Sequence, residues 1–142
     1  MKNIGDFNKD GYIDWAIIAN NACYANIYFG GSILDFEPDI RILLPQDSFT
    51  ECYDIAIGDL NNDNWNDIAI SCSSPSDVAY EPTLITNRQN VFIFLGSSFM
   101  PTTLSYHNAS YTLDGSDTFY DFGMNLAIIG DYNVDGFNDL VV

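Results

Sequence analysis

Basic residues are scarce in this chain of 142 residues, which has 4 Lys and Arg against 20 Asp and Glu and a formal net charge of −16. Binding to nucleic acid or to an anionic membrane surface requires basic patches, so we expect neither as a partner. The chain also lacks any apolar run near the ~20 residues that span a bilayer, and its first residues contain no apolar signal core. We therefore expect no membrane insertion within this chain, and it carries no recognisable secretion signal.

Histidine and cysteine are also rare, with one His and three Cys. The single histidine, His107, lies in an acid-poor stretch with no evident partner to orient it, so we expect no enzyme activity within the chain. Cys23, Cys52 and Cys72 are too few and too widely spaced for a disulfide scaffold, and no Cys-x-x-Cys pair suggests zinc. One disulfide with a free thiol and three buried reduced cysteines both remain open.

Helical periodicity is missing as well, and the chain instead contains a threefold repeat. The copies read GDFNKDGYIDWAI at 5–17, GDLNNDNWNDIAI at 58–70 and GDYNVDGFNDLVV at 130–142. Short segments rich in β-branched and aromatic residues separate them, bounded by Gly, Pro, Asn, Asp or Ser, which is typical of strands. The pattern predicts an all-β fold whose unit has four antiparallel strands, with the Asp-rich loop between the first and second. Units of this length and strand number suggest blades of a β-propeller.

The three Asp-rich loops, 6–14, 59–67 and 131–139, are predicted calcium sites, and we call them the first, second and third Asp loops. Positions 1, 3, 5 and 9 of each loop carry carboxylate or amide oxygens, and position 7 is an aromatic residue that would offer its backbone carbonyl. Calcium binds six to eight such oxygens. The predicted ligands are Asp6, Asn8, Asp10, Tyr12 and Asp14; Asp59, Asn61, Asp63, Trp65 and Asp67; and Asp131, Asn133, Asp135, Phe137 and Asp139. Position 6 must turn with a positive φ, which Gly11 and Gly136 adopt freely and Asn64 tolerates.

Two other structures could explain the pattern of these loops. An EF-hand requires a Glu at position 12, where this chain has Ile17, Ile70 and Val142, so that interpretation fails. A solvated Asn/Asp-Gly hairpin turn remains the alternative. Three carboxylates in each of three loops account for nine of the 20 acidic residues, and without a cation they would repel one another. Oxygen-only ligands favour calcium over zinc or copper.

These residues resemble the FG-GAP repeat family, the blades of the integrin α-subunit β-propeller and its bacterial relatives. The signature Asp-x-[Asp/Asn]-x-Asp-Gly-x-x-Asp is met by the first and third Asp loops, and by the second with Asn in place of Gly. The Phe-Gly pair that names the repeat occurs at 122–123, whereas Thr50 and Glu51 occupy the matching positions before the second loop. The resemblance implies a propeller of about seven blades with calcium between the first and second strands of a blade. It also implies an extracellular or cell-surface protein that works in adhesion or ligand binding.

On this interpretation the chain is a propeller fragment of just over two blades, and the remaining blades are required for closure. Residues 1–48 would be a blade lacking its first strand, 49–118 a complete blade, and 119–142 the start of a third. The runner-up is a non-catalytic or lectin-like propeller module attached to a secreted enzyme. The ligand would accordingly be a protein or a glycan.

A long connection marks the expected ligand side. Asp14 and Gly30 are 16 positions apart, but Asp67 and Gly96 are 29 apart, so 13 extra residues lie within 73–90. In an antiparallel four-stranded unit this connection lies on the face opposite the Asp loops, and insertions on one face often mark a binding side. The residues to test there are Tyr80, Glu81 and Arg88, although a neutral surface insertion remains the alternative. Trp15, Trp65 and the many Tyr and Phe residues could stack on sugars, but at positions beside strands such residues more often pack between blades.

Overall fold

The computed structural model describes residues 1–19, 24–33, 35–46, 50–75, 87–115 and 121–142, with the backbone alone at 74–75 and 87–88. Within these ranges the strands are β1 (Lys2–Gly5), β2 (Asp14–Ala19), β3 (Tyr24–Tyr28), β4 (Ile40–Leu43), β5 (Cys52–Gly58), β6 (Asp67–Pro75), β7 (Asn87–Phe94), β8 (Thr103–Ser105), β9 (Tyr111–Asp114), β10 (Ala127–Ile129) and β11 (Asp139–Val141). The helix found there is a 3₁₀ turn at Tyr106–Asn108. The described part of the chain has no helix long and apolar enough to cross a membrane. The all-β prediction is therefore confirmed.

The strands form two sheets and a strand pair. The first sheet has the order β1-β2-β3-β4-β8, the second sheet β5-β6-β7-β9, and β10 pairs with β11. Apart from β4 and β8, neighbouring strands are antiparallel. Each sheet thus contains four antiparallel strands in chain order, with β8 between β7 and β9 added to the first sheet, and an Asp loop joins the first two strands, as the repeat predicts.

Two strands differ from the sequence-based expectation. The sequence placed a unit without its first strand at 1–48, but Lys2–Gly5 forms β1 and pairs with β2. The polar segment KNIG has little strand propensity, and its pairing depends on the backbone of β2 together with the packing of Ile4 against the core. The other unexpected strand is β8, which lies parallel to β4. Beside it, Arg41 N–H donates to Thr102 O at 2.9 Å. The segment between β7 and β9 therefore covers the edge of the first sheet.

The second sheet is buried on both faces. Along β6, Ile68 and Ile70 point into a core shared with the first sheet, whereas Ala69 points into a smaller core shared with the β10-β11 pair. Alternate residues of a strand point to opposite faces, so β6 must be apolar at successive positions. The segment DIAIS meets this requirement, and Ile68, Ala69 and Ile70 are each 0% exposed. The three sets of strands therefore stack face to face in chain order.

A partly exposed carboxylate connects all three sets. Asp54, in β5, accepts from Lys2 Nζ of the first sheet at 3.0 Å and from Leu126 N–H beside β10 at 2.9 Å. Burial by itself would raise the pKa of Asp54, but hydrogen bonds from Leu126 N–H, Lys2 and Ile55 N–H outweigh it and lower the pKa below its usual value. Asp54 is therefore ionised at neutral pH and stabilises the stack.

The cysteine alternatives are resolved for two of the three residues. Cys52 and Cys72 face each other in the register of β5 and β6, with a Cα–Cα distance of 3.9 Å, and form a disulfide. Both are 0% exposed. Cys23 lies outside the described residues. The disulfide joins the first two strands of the second sheet within the larger core.

Candidate metal centres

The three Asp loops have the same backbone path. At position 6, φ is 91° for Gly11, 69° for Asn64 and 95° for Gly136, as the sequence predicted. Position 4 is also left-handed, with φ of 65°, 58° and 62° for Lys9, Asn62 and Val134 respectively. This second turn could not be predicted from the residue types, because Lys and a β-branched Val rarely adopt a positive φ. A conformation kept with such different side chains must be imposed by the rest of the loop.

The first aspartate of each loop supplies one constraint. Asp6 Oδ1 accepts from Asp10 N–H and Asp6 Oδ2 from Gly11 N–H, both at 2.9 Å. Asp59 and Asp131 repeat this pair of hydrogen bonds in their own loops. Both oxygens of position 1 therefore hold the amides of positions 5 and 6, where the chain turns.

Positions 3 and 5 supply a second constraint. Asn8 Oδ1 accepts from Asp10 N–H at 3.1 Å, and Asn8 Nδ2 donates to Asp10 Oδ2 at 2.9 Å. Asp10 Oδ1 accepts from Tyr12 N–H at 2.9 Å, which places position 7 beside position 5. The second and third loops repeat all three contacts. The structure thus brings the predicted residues at positions 1, 3, 5 and 7 of each loop together.

Position 9 has a different environment, because its carboxylate lies inside the protein. Asp67 is 0% exposed, and it accepts from Leu60 N–H and from Gly96 N–H, both at 2.7 Å. Asp14 does the same with Phe7 N–H at 2.6 Å and Gly30 N–H at 2.7 Å. This residue therefore ties its loop to the end of the third strand of the sheet.

Position 9 of the third loop has different partners, and among the described residues β11 pairs with β10 alone. Asp139 Oδ2 still accepts from Tyr132 N–H at 2.7 Å. Its Oδ1 instead contacts Asn133 Nδ2 at 3.3 Å, and Asp139 is only half-buried. The second oxygen of position 9 is thus used by the third strand where that strand is present.

Burial affects the charge of Asp67. Desolvation raises its pKa above the usual value, and the neighbouring carboxylates of Asp63 and Asp59 raise it further. Hydrogen bonds from Gly96 N–H and Leu60 N–H act in the opposite direction but do not compensate. A cation near these three carboxylates would favour their ionised forms.

The donor chemistry of the loops suits a hard cation, since carboxylate, amide and carbonyl oxygens are the ligands that calcium prefers. In the described residues, however, no group of three or more His, Cys, Asp or Glu side chains is arranged to hold a metal ion. The side-chain oxygens accept hydrogen bonds from amides of the loop instead. Binding a cation would require some of them to exchange these donors for the metal. Because such contacts lie at positions 1, 3 and 5, which are exposed or partly exposed, water can replace the lost partners there.

Neighbouring Asp loops are connected by side chains that the sequence analysis did not identify. Asn138, at position 8 of the third loop, donates from Nδ2 to Asp59 O at 2.6 Å. Asn66, at position 8 of the second loop, donates in the same way to Asp6 O at 3.5 Å. Comparison of the three copies could have raised the question, because position 8 is Asn twice and Ile13 once.

A cleft lies on the side of the Asp loops, between the first and second of them. It has a volume of about 280 Å³, and its aromatic lining residues are Phe7, Phe29, Trp65 and Phe99. Phe99 is 82% exposed, and Lys9 Nζ lies 4.1 Å from the centroid of the Trp65 ring. Such a surface can stack against a sugar ring or an apolar side chain.

The predicted ligand residues on the opposite side are mostly outside the structure described. Tyr80 and Glu81 lie outside the described residues, and Arg88 is described only by its backbone, which pairs with Ser74. Part of the long connection is strand, since β6 continues to Pro75 and β7 begins at Asn87. His107 lies exposed in the 3₁₀ turn, whose N-cap is Ser105.

Comparison with known proteins gives weak but consistent similarities. The chain is 30% identical to integrin alpha-8 of Mus musculus over 63% of its length, and 29% identical to integrin alpha pat-2 of Caenorhabditis briggsae over 62%. It is 24% identical to integrin alpha-5 of Xenopus laevis over 98% of its length. The chain spans only 8%, 7% and 13% of these three relatives. No protein-family model and no solved structure matches it.

These similarities confirm the resemblance found in the loops. The chain has weak homology to integrin α subunits, whose propeller contains FG-GAP repeats, and this supports an integrin-like FG-GAP family.

Proposed function

We propose that this chain is a segment of a calcium-stabilised FG-GAP β-propeller from a surface or secreted adhesion or ligand-binding protein. The observation that carries the proposal is that the three Asp loops share one backbone path and the same hydrogen bonds among positions 1, 3, 5, 6 and 7. Simple solvated turns would not need four acid or amide side chains at fixed positions in every copy. A shared cation requirement accounts for both the residue types and their spacing.

The stacking of the sheets supports the propeller. Two sheets that each contain four antiparallel strands in chain order pack face to face, and the second sheet packs its other face on the start of a third unit. Continued around an axis, this arrangement gives a closed ring of blades. We take the ring to have about seven blades, as the family resemblance implies. The units are 1–48, 49–118 and 119–142.

Calcium would be held by the oxygens of positions 1, 3, 5 and 9 and by the backbone carbonyl of position 7. When bound it supplies positive charge among three carboxylates and joins the ends of two strands. Positions 1, 3 and 5 already lie together, whereas Asp14 and Asp67 would have to share oxygens now bonded to backbone amides. Three bound calcium ions would change the formal charge from −16 to −10, because each carries two positive charges.

The relatives and the disulfide support a setting outside the cell, and the relatives also support a protein without catalytic activity. Disulfides persist mainly in oxidising compartments, so Cys52–Cys72 supports a secreted or cell-surface location. The relatives are integrin α subunits, which are adhesion receptors rather than enzymes, and this supports protein binding. The long connection between β6 and β7 remains our proposed ligand side, with Tyr80, Glu81 and Arg88 as residues to substitute.

The aromatic cleft favours one second candidate, a lectin-like module. Its rings lie beside polar residues, including Asn8, Asp39 and Ser97, which is suitable for a sugar. A glycan array with the wild type and a Trp65→Ala, Phe99→Ala variant separates the two candidates. Glycan binding lost in the variant supports the lectin, and no glycan binding by the folded wild type favours the adhesion module.

Thermal unfolding in calcium and in EGTA tests the proposed role of the metal. At tenfold excess over its Kd, each bound ion should stabilise the protein by about 1.4 kcal/mol. The melting temperature should therefore rise with calcium in the wild type and much less in an Asp10→Asn, Asp63→Asn, Asp135→Asn variant. Equal melting temperatures of the wild type in calcium and in EGTA would contradict the proposal.

A further inference from the structure

The contacts between neighbouring Asp loops follow a rule. In both pairs of adjacent loops, the side-chain amide at position 8 of the later loop donates to the backbone carbonyl at position 1 of the earlier one. The residues joined are 60 and 79 positions apart, so the contact is tertiary and recurs with the stacking of the units. The Asn138 contact is short and half-buried, whereas the Asn66 contact is long and exposed.

Each end of this contact belongs to a candidate metal site. Asp59, the acceptor for Asn138, is the residue whose carboxylate holds the turn of the second loop. Its carboxylate is thus fixed from within its own loop and its carbonyl from the next loop. Asn138 in turn directly precedes Asp139, the predicted ligand at position 9 of the third loop.

The backbone at position 8 is itself held firmly in the second loop. Gly96, at the end of the third-strand segment, lies so near Asn66 that a Cβ built on it would be 2.9 Å from the Asn66 carbonyl carbon. Gly96 N–H also binds Asp67, the next residue after Asn66. Positions 8 and 9 of the second loop thus lie against the same glycine, so Asn66 and Asp67 share one support.

We propose that Asn66 and Asn138 are positioning residues that couple cation binding between adjacent Asp loops. The inference rests on the proposed calcium function of the loops. A cation that fixes positions 8 and 9 of one loop holds the amide that orients position 1 of the loop before it. The earlier loop then loses less conformational freedom when it binds its own ion, which gives positive cooperativity. Because coupling is reciprocal, binding in the earlier loop strengthens the later one by the same factor.

The first loop provides a natural contrast. Its position 8 is Ile13, an aliphatic side chain that is 55% exposed and has no hydrogen to donate. The first loop can therefore receive coupling from the second through Asn66 but has no such donor of its own. Ile13→Ala is consequently a matched control, at the same position of a loop that makes no such contact.

The test measures cation affinity of the second loop with terbium, whose luminescence is sensitised by a nearby tryptophan. A Trp15→Phe background leaves Trp65, at position 7 of the second loop, as the only tryptophan. Asn138→Ala should weaken terbium binding at this loop about fivefold, because the substitution removes one neutral hydrogen bond. Ile13→Ala should leave it unchanged. Circular dichroism in EDTA establishes that each variant is folded.

A double-mutant cycle separates coupling from a purely structural effect. Asp135→Asn, which weakens the third loop as a metal site, should lower the affinity of the second loop when Asn138 is present. It should have no further effect in the Asn138→Ala protein. An unchanged affinity in Asn138→Ala, or an equal effect of Asp135→Asn with and without Asn138, would overturn the coupling.

Two further outcomes are defined. If Asn138→Ala does not fold, Asn66→Ala replaces it with the affinity of the first loop as the readout, in a Trp65→Phe background that leaves Trp15 beside that loop. The expected change there is smaller, because the Asn66 contact is longer. If the folded wild type binds no cation, the proposed function and the coupling both fall. Normal binding with unchanged affinities in the variants overturns the coupling alone.

Discussion

Substitution of Asp67 by Asn distinguishes a structural carboxylate from one needed only for a cation. The Asp67 carboxylate is 0% exposed and accepts two backbone N–H groups, from Leu60 and Gly96. Asn keeps one acceptor oxygen and turns an NH₂ group toward the other donor, so one buried N–H loses its partner. An unsatisfied buried donor costs about 1–3 kcal/mol. We therefore expect Asp67→Asn to lower the free energy of unfolding by about 1–3 kcal/mol even without metal.

Asp63→Asn is the matched control in the same loop. The Asp63 carboxylate is exposed, and water can replace it as the acceptor for Trp65 N–H and Asn61 Nδ2. In chelator, Asp63→Asn should change the free energy of unfolding by no more than about 0.5 kcal/mol, as ordinary surface substitutions do. The assay is urea unfolding in EDTA, repeated in calcium, where Asp63→Asn should lose most of the stabilisation by the ion. Equal unfolding midpoints for Asp67→Asn and the wild type in EDTA would refute the reasoning.

Three other substitutions or treatments test the stack. Asp54→Asn should destabilise the protein more at pH 7 than at pH 2. Folding lowers the pKa of Asp54, so its contribution to stability is present above the unfolded pKa of about 4 and is lost as the pH falls through the folded pKa. Equal losses at both pH values in urea unfolding would contradict this. Reduction of Cys52–Cys72, a loop of 20 residues, should lower the free energy of unfolding by about 3 kcal/mol, and an unchanged urea midpoint after verified reduction would argue against the disulfide. Gly96→Ala should cost about 1–3 kcal/mol in the same assay because of backbone overlap, whereas Gly130→Ala, where a Cβ would meet nothing within 4 Å, should not.

Local pattern was sufficient to predict the Asp loops and most of the strands. The segments YDIAI, IRILL and SYTLDG lie within or around β5, β4 and β9, because β-branched and aromatic residues between turn residues favour strands wherever they occur. The positive φ at position 6 was also predictable, since Gly and Asn are the residues that accept it.

Features that depend on tertiary pairing could not be predicted in this way. The strand β8 forms because its backbone meets the edge of β4, and β1 forms because β2 offers it a partner. The burial of Asp14 and Asp67 depends on the segments that follow β3 and β7. Gly30 and Gly96 in these segments supply N–H donors from 16 and 29 residues away. The contact of Asn138 likewise forms only when the units are stacked, because its partner Asp59 lies in the loop between β5 and β6.

Titration of the protein with calcium tests most directly whether the Asp loops are calcium sites. Isothermal titration of the chelator-treated, folded protein with calcium should show one binding event for each Asp loop in the chain, three in total. Affinities in the range of roughly 10⁻⁴–10⁻³ M are expected for an extracellular module. Replacement of position 5 in one loop by Asn, as in Asp10→Asn, should remove one event. A folded protein that binds no calcium at millimolar concentration would contradict the central claim that these loops are calcium sites.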